Sequence, residues 1–277
     1  LDGTKKFLFE LSDGSLVESV WMQYRHGNSV CISSQVGCRM GCRFCASTLG
    51  GLERNLVPSE MLDQIYAISK TTGERVSNVV VMGTGEPLDN YDNLLRFIHR
   101  ITDENGLNIS QRNITISTCG IVEQMRRLAD EKLQITLALS LHGATQAKRR
   151  ELMPIADRYD ISEVLDACIY YFRQTGRRVT FEYSLVGGVN DTDEDAEHLC
   201  SLVGGLNCPG FCHVNLIPVN PIKERDFVES DRKDILNFQK KLEMRHINAT
   251  IRREMGRDID GACGQLRRRS VESNVDS

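Results

Sequence analysis

Three cysteines in the run Cys38-Arg-Met-Gly-Cys42-Arg-Phe-Cys45 are separated by three and then two residues. At this spacing three thiolates reach three corners of an iron–sulfur cubane and leave the fourth iron without a protein ligand. An electron-transfer ferredoxin closes its cluster with four cysteines. An open iron can instead take the amino and carboxylate groups of S-adenosylmethionine and pass an electron to its sulfonium, so that the C–S bond breaks to a 5′-deoxyadenosyl radical. The competing reading is a zinc site with Cys31 or a histidine as fourth ligand. Zinc motifs usually come as paired Cys-x-x-Cys knuckles, and no such pair occurs here.

Further downstream, Gly83-Thr-Gly85-Glu86-Pro87-Leu88 reads as a strand-to-helix loop. Glycines there let the backbone approach a ligand, and the carboxylate of Glu86 can hold an ammonium group or ribose hydroxyls. Ser117, the run Ser140-Leu141-His142, and Asn220 each follow a strand-like segment. Singly each reads as a cap or a turn; together they line the C-terminal edge of a sheet, where α/β barrels bind ligands. Cys263, in Gly261-Ala-Cys-Gly-Gln265, is flanked by small residues that leave its sulfur sterically open, and Cys31 lies seven residues ahead of the first cluster cysteine. By composition alone either could be a packed thiol. Cys119, Cys168, Cys200, Cys208 and Cys212 are expected to be packed thiols of that kind.

These residues need a scaffold, and 277 residues suffice for one catalytic α/β domain. Ten cysteines without a signal-peptide pattern point to metal or redox work in a reducing compartment rather than to disulfides. No stretch approaches the roughly 18 to 20 apolar residues of a membrane span, so a cytoplasmic protein with no membrane partner is expected. The net charge of −4 argues mildly against a nucleic-acid partner, although residues 240–269 hold nine Lys/Arg against four Asp/Glu.

Residues 6–33 read as a β-meander with an Asp13-Gly14 hairpin turn. Strands are then expected at 30–34, 78–83, 113–117, 135–140, 179–185 and 213–218, alternating with helices at 58–71, 90–104, 121–131, 161–174, 192–206 and 229–245. Six βα units with short connections imply a parallel sheet and right-handed crossovers. Six are too few for a closed eight-stranded barrel, so the expected fold class is α/β, an open partial (β/α)6 TIM-like barrel with a small N-terminal β-meander. The expected boundaries are a meander extension at 1–29, a catalytic domain at 30–269 and a disordered tail at 270–277. Because the chain opens at Leu1 directly ahead of a strand, an N-terminal segment is expected to precede it.

Taken together, Cys31-Ile-Ser-Ser-Gln-Val-Gly-Cys38, Gly85-Glu-Pro-Leu88, Ser140-Leu-His142, Leu216-Ile-Pro-Val-Asn220 and Gly261-Ala-Cys-Gly-Gln265 make the chain similar to the RlmN family of dual-specificity RNA methyltransferases, close relatives of the Cfr methylase. The likeness runs from about residue 5 to residue 269. It implies a barrel of the radical SAM type, a 4Fe-4S cluster on Cys38, Cys42 and Cys45, and two S-adenosylmethionine molecules per turnover. It also implies methylation of adenine C2 in 23S rRNA and in the tRNA anticodon loop. In the chemistry so implied, Cys263 accepts a methyl group, a radical formed on that group adds to C2, and Cys31 displaces the Cys263 sulfur to leave a transient disulfide. Glu18 falls where the family has a proton acceptor. Contacts to S-adenosylmethionine fall on Gly85, Glu86, Ser117, Ser140, Leu141, His142 and Asn220. An electron-donor protein such as flavodoxin and a monomeric state are further expectations. Departures are the family's N-terminal accessory domain, which lies outside this chain, and a few extra residues around Cys208–Cys212 just before the last barrel strand. The rivals are C8 methylation, as in Cfr, and a non-catalytic metal-binding RNA module.

Overall fold

The computed structural model describes residues 2–25, 27–206, 208, 210–253, 255–256, 259–262 and 264–266. Cys263 and the expected tail at 270–277 lie outside the described residues. The strands are β1 (Lys5–Glu10), β2 (Leu16–Tyr24), β3 (Gly27–Cys31), β4 (Gln35–Gly37), β5 (Leu52–Asn55), β6 (Val76–Val81), β7 (Ile114–Thr118), β8 (Thr136–Ser140), β9 (Val179–Leu185), β10 (Cys212–Pro218) and β11 (Ala249–Ile251). The helices are α1 (Pro58–Thr72), α2 (Tyr91–Ile101), α3 (Val122–Asp130), α4 (Gln146–Leu152), α5 (Ile161–Thr175), α6 (Asp193–Gly205) and α7 (Arg232–Met244).

Nine strands form one sheet in the order β1-β2-β3-β6-β7-β8-β9-β10-β11. From β3 onward every neighbour is parallel, as a chain of helical crossovers requires. The six expected βα units are present, and β11 adds a seventh parallel strand. The meander is antiparallel, β1 on β2 and β2 on β3, and it continues into the barrel sheet because β3 belongs to both. The few extra residues around Cys208–Cys212 leave β10 undisturbed: it pairs with β9 without a register shift from Cys212↔Val179 to Pro218↔Leu185.

Alternation along each strand divides the work. On β7, Ile114 and Ile116 are buried in the layer shared with the helices, against faces such as Leu94, Phe97, Ile98 and Ile101 of α2. Each such side chain contributes about 1.5–3 kcal/mol by leaving water. That outer layer holds the fold together and leaves the concave face free to carry polar groups, of which Ser117 on β7 and Ser140 on β8 are examples. On β2, Val17 and Trp21 enter the main core. Glu18, Val20 and Met22 take the opposite face, and Val20 and Met22 pack there with Cys31.

Two elements escape the sequence pattern. The β4–β5 pair brackets the loop that carries Cys38, Cys42 and Cys45, and α4 spans only seven residues. Both sit at the C-terminal edge of the sheet.

Candidate active site

Beyond Ile32, which still bonds to Val80 of β6, residues 33–37 leave the first barrel strand and spend polar groups on α1, β2 and neighbouring loops. Gln64 of α1 accepts from Ser33 N at 2.9 Å and donates to Ser33 O at 3.1 Å. The Ser33 hydroxyl donates to Glu18 O at 2.6 Å and accepts from Thr84 N at 2.9 Å. Gln35 accepts from Glu86 N at 2.8 Å and donates to Asn55 and Asp89. This buried lattice joins β2, the cluster loop, α1 and the loop after β6 into one unit. It explains why two serines and a glutamine precede Cys38.

Cys38, Cys42 and Cys45 line one cavity together with Gly83, Gly85, Glu86, Ser117, Ser140, His142 and Asn220. Burial pushes the Cys38 thiol up to about 12 and also raises the Cys42 thiol well above its ordinary value, and the neighbouring thiols and the Glu86 carboxylate add to both shifts. A cluster held by these residues would have to displace their protons on assembly. Among the described residues no three His, Cys, Asp or Glu side chains converge where a single metal ion could sit. Three thiols spread around one cavity instead suit a multi-iron group with one ligand per corner. The donor set thus fits a cluster.

Glu86 is buried, and its carboxylate accepts from Leu88 N at 3.0 Å and Cys119 N at 2.8 Å. Burial raises its pKa against these bonds. It braces the loop after β6 against the loop after β7 while lining the cavity. Gly85 has φ +111°, and a Cβ there would lie 2.7 Å from Gln35 Cβ and 2.8 Å from Ser34 Oγ. The glycine is therefore required by the approach of the cluster loop, a protein neighbour rather than a ligand. We expect Gly85→Ala to lower both the melting temperature and the affinity of the cluster-loaded protein for S-adenosylmethionine, the latter about tenfold or more. Calorimetric titration that matches the parent would contradict this.

His142 has φ 52°, a left-handed conformation held by Asn190, which donates to its carbonyl at 2.7 Å, and by its own N–H, which donates to Glu182 O at 3.2 Å. Ser184 N donates to Nδ1 at 2.9 Å, so the ring is neutral with its proton on Nε2. Phe44 packs edge-on against it, with centroids 4.6 Å apart. Burial, and then the charge of Arg149, lower the His142 pKa from 6.5 to about 3. The unfolded chain takes up this proton near pH 6.5 and the folded chain near pH 3, so stability falls as pH drops through that window. His142→Gln should flatten the acid limb of a thermal-stability profile between those pH values. An unchanged slope would show that the imidazole charges freely in the fold.

Leu141, expected as a contact, does not line the cavity. Its side chain is wholly buried in the outer core and its N–H donates to Glu182 O at 3.0 Å. Strand alternation turns residue 141 away from the face that Ser140 presents. Cys119, expected as a packed thiol, lies on the cavity wall. Cys168 and Cys200 are buried in the core, and Cys208 and Cys212 pack against it, which matches the packing reading. The sequence pattern also missed Glu182 and Arg252. These two line the cavity floor at 4.0 Å from each other, and Asn215 donates to the same carboxylate at 2.9 Å.

A second cavity abuts the first and shares Cys45, Met82, Gly83, Asn220, Arg252 and Gly264 with it. Its own walls include Val20, Met22, Cys31, Arg253 and Ala262. Cys263 itself lies outside the described residues. Its flanking segment is tied to the turn after Cys45, with Ala46 N donating to Gly264 O at 2.8 Å and Ser47 Oγ to Leu266 O at 2.7 Å. Glu18 is buried and pairs with Lys6 at 3.0 Å; Lys6 in turn donates to Asp260 O at 3.5 Å. Glu18 lines neither cavity.

The family model of the radical SAM superfamily matches residues 32–203. A protein of Lachnospira eligens named probable dual-specificity RNA methyltransferase RlmN is 66% identical over 98% of this chain and 77% of its own length. A Clostridium perfringens protein of the same name is 56% identical over 98% of this chain and 77% of its own length. The crystal structure of a radical SAM methyltransferase from Sphaerobacter thermophilus superposes with a TM-score of 0.91 at 44% identity, over 95% of this chain and 77% of that one.

Proposed function

The chain belongs to the radical SAM superfamily and, within it, to the RlmN RNA methyltransferases, and from that premise we propose that it methylates C2 of a specific adenine in 23S rRNA and in the tRNA anticodon loop through an S-methyl group carried on Cys263. Adenine C2 is an electron-poor sp² carbon that cannot attack a sulfonium, so a radical route is required. The bound cluster and S-adenosylmethionine supply that radical.

The residues of the chain do the rest. Cys38, Cys42 and Cys45 hold the cluster. Gly85, Glu86, Ser117, Ser140, His142 and Asn220 shape the pocket for S-adenosylmethionine, with Leu141 setting the backbone between two of them. Cys263 carries the methyl group and so consumes one S-adenosylmethionine, while a second yields the radical, giving two per turnover. Glu18, which by strand alternation shares a face of β2 with Val20 and Met22 of the second cavity, is assigned the proton lost from C2, and this role requires its carboxylate to leave Lys6 when RNA binds. After the adduct returns its unpaired electron to the couple that supplied it, the Cys31 thiolate attacks the Cys263 sulfur and breaks its bond to the methylene carbon; that carbon takes up a proton to become the methyl group of the released RNA, and external reductant resets the disulfide. A flavodoxin-like protein delivers the electron, and the enzyme acts as a monomer. The domain reading is one catalytic unit at 30–269, with the meander at 1–29 as its edge.

One observation carries this reading. Two cavities share a wall, one lined by the three thiols and the other by Cys31 and the sequence neighbours of Cys263. A cysteine that carries the methyl group and a second that resolves the adduct need such an arrangement beside the radical source. The test is an anaerobic assay on 23S rRNA and tRNA fragments with nucleoside mass spectrometry. 2-Methyladenosine from both RNAs is the expected product. 8-Methyladenosine would assign the Cfr chemistry, and methylation of one RNA alone would remove the dual specificity.

A further inference from the structure

Arg149 of α4 is among the largest fully buried side chains. One terminal nitrogen, Nη2, donates to the Cys119 carbonyl. Its Nε and Nη1 are buried and meet no hydrogen-bond partner. Burial depresses its pKa, and the groups that oppose the shift are thiols, those of Cys119, Cys42 and Cys168, rather than carboxylates. A buried guanidinium with two unmet donors is among the costliest arrangements a fold can retain, and it calls for an anion.

The location says which anion. Cys119, whose carbonyl Arg149 holds, lines the same cavity as Cys42. Leu152, one turn along α4, accepts from Arg43 N at 2.9 Å, and Cys42, Cys119 and Leu152 pack in one apolar cluster. Arg149 therefore stands behind the wall that presents Cys42, and its charge acts on that thiol and on the His142 ring. Three thiolates give a 4Fe-4S group net negative charge, which grows by one on reduction. In a dry surrounding such a charge is screened little.

We infer that Arg149 is a positioning residue for the cluster, a fixed buried cation behind Cys42 that offsets the thiolate charge and sets how readily the cluster accepts an electron. The inference rests on the reading of Cys38, Cys42 and Cys45 as cluster ligands. Iron content reports on that reading and the reduction potential reports on Arg149, so the two can fail separately.

The experiment is a reductive titration followed by EPR, on cluster-loaded protein without S-adenosylmethionine or RNA, for the parent, Arg149→Met and Arg149→Lys. Arg149→Met should load iron and be harder to reduce, its reduced fraction at a fixed potential falling about tenfold, which is about 59 mV for a one-electron couple. Arg149→Lys should recover most of that loss. Loaded Arg149→Met with the parent potential would overturn the inference, as would Lys failing to differ from Met. Where Met does not hold a cluster, Arg149→Gln, which keeps a donor for the Cys119 carbonyl and drops the charge, takes its place. If neither neutral variant holds iron while Lys does, Arg149 serves assembly rather than tuning and the inference falls.

Discussion

Cys31→Ala should accumulate as a covalent protein–RNA species, while Cys263→Ala should form no such species at all. The two substitutions remove a thiol from the same catalytic cycle but at different steps. Cys263 is the proposed carrier, and without it there is no S-methyl group to convert and nothing to add to the base. Cys31 is the proposed resolving thiol, buried on the concave face and lining a cavity with Gly261, Ala262 and Gly264. Its loss leaves methyl loading and addition intact and removes the nucleophile that displaces the Cys263 sulfur. Denaturing gels after an anaerobic reaction with labelled RNA should therefore show shifted protein for Cys31→Ala only, with turnover down by about a thousandfold or more in both, a loss typical of removing a nucleophile. A Cys31 variant that turned over at the parent rate would return this residue to the packed thiol that its strand position alone suggests.

Equally severe losses are expected for Cys38, Cys42 and Cys45. Replacing any one with Ala removes one of three ligands from a group that already lacks a fourth, so cluster content should fall from about four irons per chain to near zero. Methyl transfer to RNA should disappear with it. The alternative, a zinc or purely structural role, leaves a different trace, because iron content and the visible absorption of a reconstituted cluster would then be insensitive to the substitutions. Full iron in all three variants would remove the assignment.

Much of the barrel and of its site is legible in the amino-acid sequence. The strand positions follow from β-branched runs such as those at 78–83 and 179–185, and three thiols that the fold brings to one cavity are singled out by their spacing. Ser117, Ser140 and Asn220 follow from being next to strand ends. The features that escape such a reading depend on three-dimensional convergence. Gln35-Val-Gly37 and Leu52–Asn55 are too short and too polar to announce a hairpin. Leu141 sits between two pocket residues in sequence, yet strand alternation sends its side chain to the other face. Arg149 reads as one basic residue in a Lys-Arg-Arg run until the fold buries it.

The stapling of the cluster turn to the segment around residues 264–266 has a consequence for how the enzyme is made. Ser47 and Leu266 are 219 positions apart in the chain yet share a hydrogen bond. On the ribosome the three proposed iron ligands emerge when most of the barrel is still unmade. The segment that completes the site follows only after every other strand has been synthesised, since β11 precedes it directly. The nascent chain thus passes through a long stage in which a cluster-binding loop exists without its final cover. Iron delivery during that stage would meet an open site, and delivery after release would meet one already roofed by the segment around residues 264–266. Vectorial synthesis makes the order of cofactor insertion and C-terminal docking a property of this fold.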